Sequence, residues 1–183
     1  MKKTILLILI SFIFYRDMDG QITKGNWMIG GAASFKSSIY GFGGASSKQT
    51  IVQLSGDVGY FILDKFAAGL KPGYNRTETN NPHIIVNTYE IGPFVRYYFL
   101  PEEARVNIFP QLSYQYGWMK TNQGVKQNSN DLSGILGCAV FFNSSVALEF
   151  TLGYSHYLYN NNAGKVNNVI AGIGFHFHLE KEQ

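Results

Sequence analysis

Residues 106–118 read VNIFPQLSYQYGW, and this stretch decides the fold. Val106, Ile108, Pro110, Leu112, Tyr114, Tyr116 and Trp118 occupy alternate positions, with Asn107, Gln111, Ser113, Gln115 and Gly117 between them. Successive side chains of a strand point to opposite faces, so one face here is greasy and the other polar or small. A helix would scatter both sets around its axis.

The same alternation recurs along the chain. Val52, Leu54, Gly56, Val58 and Tyr60 oppose Gln53, Ser55, Asp57 and Gly59. Val146, Leu148, Phe150, Leu152 and Tyr154 oppose Ala147, Glu149, Thr151, Gly153 and Ser155. Counting the segments beginning near Trp27, Phe66, Ile85, Leu132 and Val169 gives eight strands. No stretch after Gly20 approaches the roughly 20 apolar residues of a membrane helix. The apolar face carries no charge in any segment, whereas Asp57, Lys71, Glu90, Arg96 and Glu149 all fall on the other. That other face is mostly Gly, Ser, Ala, Asn and Gln. Small polar residues suit a narrow lumen, and a charge-free face tipped with aromatics suits lipid. Trp27, Tyr60, Phe66, Tyr97, Phe99, Phe142 and Phe177 gather near one set of strand ends, and Phe35, Tyr74, Tyr116, Trp118 and Tyr154 near the other. Two such belts mark two membrane–water interfaces. The expectation is an all-β, eight-stranded, antiparallel up-and-down transmembrane barrel.

Composition agrees. The 183 residues hold 15% charged residues, 20 glycines and one cysteine. This is one domain's worth of chain, without a disulfide framework or a Cys-rich zinc site. A net charge of +3 gives no footprint for a nucleic-acid partner. Lys2 and Lys3 precede an apolar run from Ile5 to Tyr15 that is too short to span a membrane, the form of a secretory signal. Residues 1–20 are expected to be that signal, with cleavage near Gly20–Gln21, and 21–183 the barrel. Short links at 61–65, 100–104 and 143–145 are expected to alternate with longer ones at 36–48, 76–84, 119–131 and 159–165. Short turns would then face the periplasm, with both mature termini, and mobile loops the outside. Pro72, Pro93 and Pro110 fall inside strands on the lipid face, where bulges are expected to absorb the missing donors.

The chain resembles the small eight-stranded outer-membrane β-barrels of Gram-negative bacteria, the OmpA/OmpX type without a periplasmic domain. Beyond the architecture, the resemblance rests on GNWMIGG (Gly25–Gly31), VGYF (Val58–Phe61) and AGIGF (Ala171–Phe175). It implies an outer-membrane location, contact with outer-membrane lipid and lipopolysaccharide, and insertion by the barrel assembly machinery. Members commonly end on an aromatic residue that this machinery recognises; here Phe175 and Phe177 are followed by HLEKEQ (His178–Gln183).

Chemistry-bearing residues are few. Asp57, Lys71 and Glu90 are expected to form a level row across three strands, with Arg96 and Glu149 reaching into the same interior as a structural network. His176 and His178 share the lumen face without an evident third ligand, so hydrogen-bonded histidines are expected and no metal or cofactor. Ser155 and His156 are adjacent and must point to opposite faces, which denies them a nucleophile–base pairing. Cys138 reads as a small hydrophobe facing lipid. The expected protein is non-enzymatic, with a structural, adhesive or surface-interaction role. Tyr40 and Phe42 in one outer loop, and Tyr157 and Tyr159 at another, are candidate contacts. A narrow channel or exit path for small or apolar solutes is the alternative, and a lipid A-modifying enzyme a more distant one.

Overall fold

The computed structural model describes residues 22–42, 45–160 and 164–179. The expected signal at residues 1–20 with its cleavage bond, the tail after Leu179 and the Phe42 side chain lie outside what is described. The eight strands are β1 (Trp27–Phe42), β2 (Ala45–Leu63), β3 (Phe66–Asn80), β4 (His83–Tyr97), β5 (Val106–Thr121), β6 (Lys126–Phe141), β7 (Val146–Tyr159) and β8 (Gly164–Leu179). Each pairs antiparallel with the next, and β1 meets β8 to close the barrel. Period-two patterning favours this outcome, because strands in hydrocarbon pair their backbone groups by closing into a ring that presents one face to lipid.

The stretch quoted above shows the two faces directly. Leu112 is 61% exposed, while its neighbours Gln111 and Ser113 are 2% and 5% exposed. The outward face bears aromatic belts. At the end where the described chain enters and leaves, the Trp27 and Tyr60 rings meet edge-on at 5.2 Å, and Tyr97 and Phe99 at 5.4 Å. Toward the far end, Tyr74, Tyr89 and Trp118 follow one another across β3, β4 and β5 at 5.2 and 5.9 Å.

Three expectations need correction. The long links contract, because the hairpins keep pairing beyond the far aromatic belt. β1 and β2 pair as far as Phe42 with Ala45, β3 and β4 as far as Asn80 with His83, and β5 and β6 as far as Lys120 with Lys126. Outside the membrane both faces of a hairpin are wet, so the apolar alternation ends while the ladder continues. Tyr40, Phe42, Tyr157 and Tyr159 are therefore strand residues and not loop residues.

The prolines, in turn, raise no bulge. Leu70 pairs with Pro93, Pro72 with Ile91 and Pro110 with Leu136 without a register shift. Pro72 and Pro93 instead lie at short silent stretches of the ladder on their other side, and Pro110 just past the Arg96–Gln111 end of the β4–β5 pairing. The β2–β3 pairing passes from Ser55–Gly73 to Val58–Leu70, and the β4–β5 pairing from Ile91–Tyr116 to Phe94–Ser113, with register unchanged. A proline lacks one donor only, so one neighbouring strand loses a bond while the other keeps its ladder.

The shift that does occur lies between Phe61 and Leu63, beside the Asp64–Lys65 turn, where Lys65 takes a left-handed φ of 66°. A left-handed residue closing a short hairpin is the usual companion of such a bulge. Two chain segments dock on this turn. Lys65 N donates to Ile22 O at 2.7 Å and Tyr98 N donates to Lys65 O at 2.8 Å.

Finally, Lys71 lies level with Gly92, and Glu90 with Gly73, so Glu90 sits one inward-facing step farther out than Lys71. The row expected across three strands is staggered. Antiparallel register about the β3–β4 hairpin turns on the position of its tip, which the Asn- and Thr-rich sequence there does not mark.

Candidate functional site

The lumen is built in two storeys. Near the entry end, inward-facing positions are large and apolar. Met28, Phe61, Tyr98 and Phe109 are fully buried, and Phe94 and Phe141 nearly so. Tyr98 stands among the rings of Phe109 at 5.3 Å, Phe61 at 6.0 Å and His178 at 6.4 Å, and His178 also packs on Phe141 at 5.3 Å. These residues form a plug. Sequence reasoning missed it by attending to the outward-facing aromatics. The signal was present, since Tyr98 follows Arg96 by two, Phe109 follows Asn107 by two, and both pairs share the inward face.

Above the plug lies the ion cluster. Arg96 Nη1 is 2.7 Å from Glu149 Oε1 and donates to the Tyr98 hydroxyl at 3.0 Å, while Nε donates to Gln111 Oε1 at 2.8 Å. Its guanidinium plane rests 4.0 Å from the Phe109 ring centre. Asp57 is 3.8 Å from Arg96 and 3.3 Å from Lys71. His176 completes the arrangement, with Nδ1 2.9 Å from Glu149 and Nε2 3.3 Å from Asp57. Two carboxylates are thus bridged twice, by Arg96 and by His176. Low exposure makes each attraction strong and each missing partner costly. Gly30 permits the geometry, because a Cβ there would overlap the His176 imidazole.

Of the residues singled out beforehand, Asp57, Lys71, Arg96 and Glu149 come together here, and His176 joins them. Glu90 stands apart and meets the Tyr157 hydroxyl, which also lies 2.6 Å from Ser129 Oγ. Ser155 is buried in the lumen, where its Oγ accepts from Asn168 at 3.3 Å, and His156 lies 2.6 Å from Asn167 Oδ1. Among the described residues no group of three His, Cys, Asp or Glu is placed to hold a metal ion.

Outward of the cluster the lumen widens into a cavity of about 910 Å³. Gln53, Gln115, Ser133 and Thr151 line its middle, and Thr77, Met119, Tyr159 and Val166 its far end. Tyr157 and Tyr159 face this cavity, while Tyr40 is exposed on β1 with its hydroxyl 3.3 Å from Gln49 Oε1.

Solved structures share this architecture. The chain is 16% identical to the outer membrane protein OprG of Pseudomonas aeruginosa, with a TM-score of 0.55 over 87% of this chain and 98% of that one. The N-terminal β-barrel domain of OprF from the same organism gives 13% identity and a TM-score of 0.55 over 85% and 98%. Neisserial surface protein A gives 19% and 0.50 over 85% and 94%. At such identities the likeness speaks to fold alone. No curated protein matches the chain. The family model for the outer membrane protein β-barrel domain matches residues 5–177, and with the closed eight-stranded barrel already described, the chain belongs to that family.

Proposed function

We propose that this protein is a non-enzymatic integral outer-membrane barrel that conducts no ions across the membrane and offers a cavity to small solutes from the cell-surface side. The observation that carries this reading is the asymmetry of the lumen. One end is filled by Tyr98, Phe61 and Phe109 under the Arg96–Glu149–His176 cluster, and the other holds the open cavity. Ion passage would require breaking the buried Arg96–Glu149 and His176–Glu149 pairs and parting the rings packed beneath them. In this reading the plug end, where the described chain enters and leaves, faces the periplasm, and both termini with it. Lipopolysaccharide and the barrel assembly machinery are the partners this location implies. Against a Ser155–His156 nucleophile–base pair stands their separation onto opposite faces.

Planar-bilayer recording tests the reading. The purified protein is expected to give a silent membrane, and stable single-channel steps would overturn it.

A further inference from the structure

The wall of this barrel is not uniform. β1 pairs with β2 along its whole length, from Trp27–Tyr60 to Phe42–Ala45. Its pairing with β8 covers only Trp27–Gly31 against Phe175–Leu179. From Ala32 and Gly174 outward, neither strand has a partner across this seam among the described residues. The parting begins below the far aromatic belt, since Phe35 lies on β1 beyond it and Val169 lies level with Tyr154 of that belt. Part of the seam therefore faces hydrocarbon.

Three observations give the seam a use. On the paired strands β2–β7 only Leu54 and Tyr74 among the lining residues face lipid, whereas β8 contributes the unbroken run Asn168–Gly174, which includes the lipid-facing Val169, Ala171 and Ile173. The cavity thus wraps the free edge of β8 and reaches the membrane. The second observation is register. Carried onward from Trp27–Leu179, it sets Ala32 opposite Gly174, Ser38 opposite Asn168 and Phe42 opposite Gly164, the last and first residues of the two strands. The free edges match in length and alternation. An open edge is unfavourable in lipid unless it lines a water-filled cavity, so the edges have reason to close and a cavity that lets them stay open. The third is charge. Asp57, Glu90, Asp131 and Glu149 line the cavity against Lys71, Arg96 and His176, and since the three basic groups gather on Asp57 and Glu149, Glu90 and Asp131 farther out disfavour an anionic head group.

We propose that the β1–β8 seam is a lateral door, closed by zipping in the existing register, through which a slender amphipathic solute with an apolar chain and an amine head passes between the lumen and the outer leaflet. The proposal rests on the same cavity as the function above but is read without any current measurement, so the two fail separately.

The test uses the full protein in lipid nanodiscs with Cys138→Ser as background. The in-register pairs Ser38→Cys/Asn168→Cys and Ser37→Cys/Val169→Cys are compared with the off-register pair Ser34→Cys/Asn168→Cys, each first shown folded by its heat-dependent gel mobility. Both in-register pairs are expected to form a disulfide under mild oxidation and the off-register pair to stay reduced. Native mass spectrometry then reads one-to-one adducts of decylamine, with decanoate at equal concentration. The reduced protein is expected to favour decylamine by at least about fivefold, and oxidation to weaken that adduct by a similar factor even with the outer mouth open, because zipping removes the stretch along Asn168–Gly174 that would take the apolar chain. Folded in-register pairs that never cross-link would overturn the proposal. So would a locked protein that still takes up decylamine, no adduct in either state, or decanoate binding as well as decylamine.

Discussion

Arg96 is 1% exposed and touches Glu149, Asp57, Tyr98 and Gln111 at once, so its removal takes the permanent cation from two carboxylates inside a low-dielectric wall and leaves them to His176 and Lys71. Arg96→Met keeps most of the volume and loses the charge. It is expected to cost about 3–5 kcal/mol, read as a lower urea midpoint in vesicles. Lys71 is bound less tightly, with a single 3.3 Å contact to Asp57 and a side chain one-fifth exposed. Lys71→Met is therefore expected to cost about 1 kcal/mol, more than a surface change and well short of the Arg96 loss. At the Asp64–Lys65 turn the opposite sign is expected. A residue with a side chain held at a φ of 66° carries strain that glycine lacks, so Lys65→Gly is expected to stabilise the barrel by about 1 kcal/mol in the same assay.

The elements divide at the far aromatic belt. Between the belts each strand buries one face against the lumen and offers the other to lipid, and the ladder there cannot be exchanged for water. Beyond the far belt the hairpins are held by pairs such as Tyr40 with Gln49 and by Ser47 donating to the Asn81 carbonyl at 2.9 Å, all in contact with solvent. Replacing residues 39–48 by a two-residue Asn-Gly turn is expected to leave the heat-dependent gel shift intact and to change stability by less than about 1 kcal/mol. The outward extent of these hairpins escaped sequence reasoning because Ser, Thr, Asn and Gln suit a wet ladder and a loop equally. The prolines were misjudged for a related reason. Alternation locates Pro72 on a face, but which neighbouring strand its nitrogen addresses depends on how β2 and β4 flank it.

At the scale of the whole molecule, the plug and the cavity give the barrel a direction. If the plug faces the periplasm, Gln123 at the β5–β6 tip lies outside the cell and Ser144 at the β6–β7 turn lies inside. In Cys138→Ser cells, a membrane-impermeant biotin-maleimide is expected to label Gln123→Cys in intact bacteria and Ser144→Cys only after lysis. The reverse pattern would invert the orientation and move the cavity to the periplasmic side. The spacing of Asp57, Arg96, Glu149 and His176 along the chain spans most of the barrel, and only ring closure brings β8 back against β1 and β2 to assemble them.

Period-two alternation, a charge-free outward face and two aromatic belts determined the strand number, the barrel class and which residues look inward, since each follows from which side of a strand a residue occupies. Partners across the lumen were decided elsewhere. Whether Glu90 meets Lys71 or Tyr157, whether Tyr98 and Phe109 stack into a plug, and where β1 leaves β8 depend on register and on the closing of the ring. Those are relations between strands distant in sequence, and a local pattern carries no information about them.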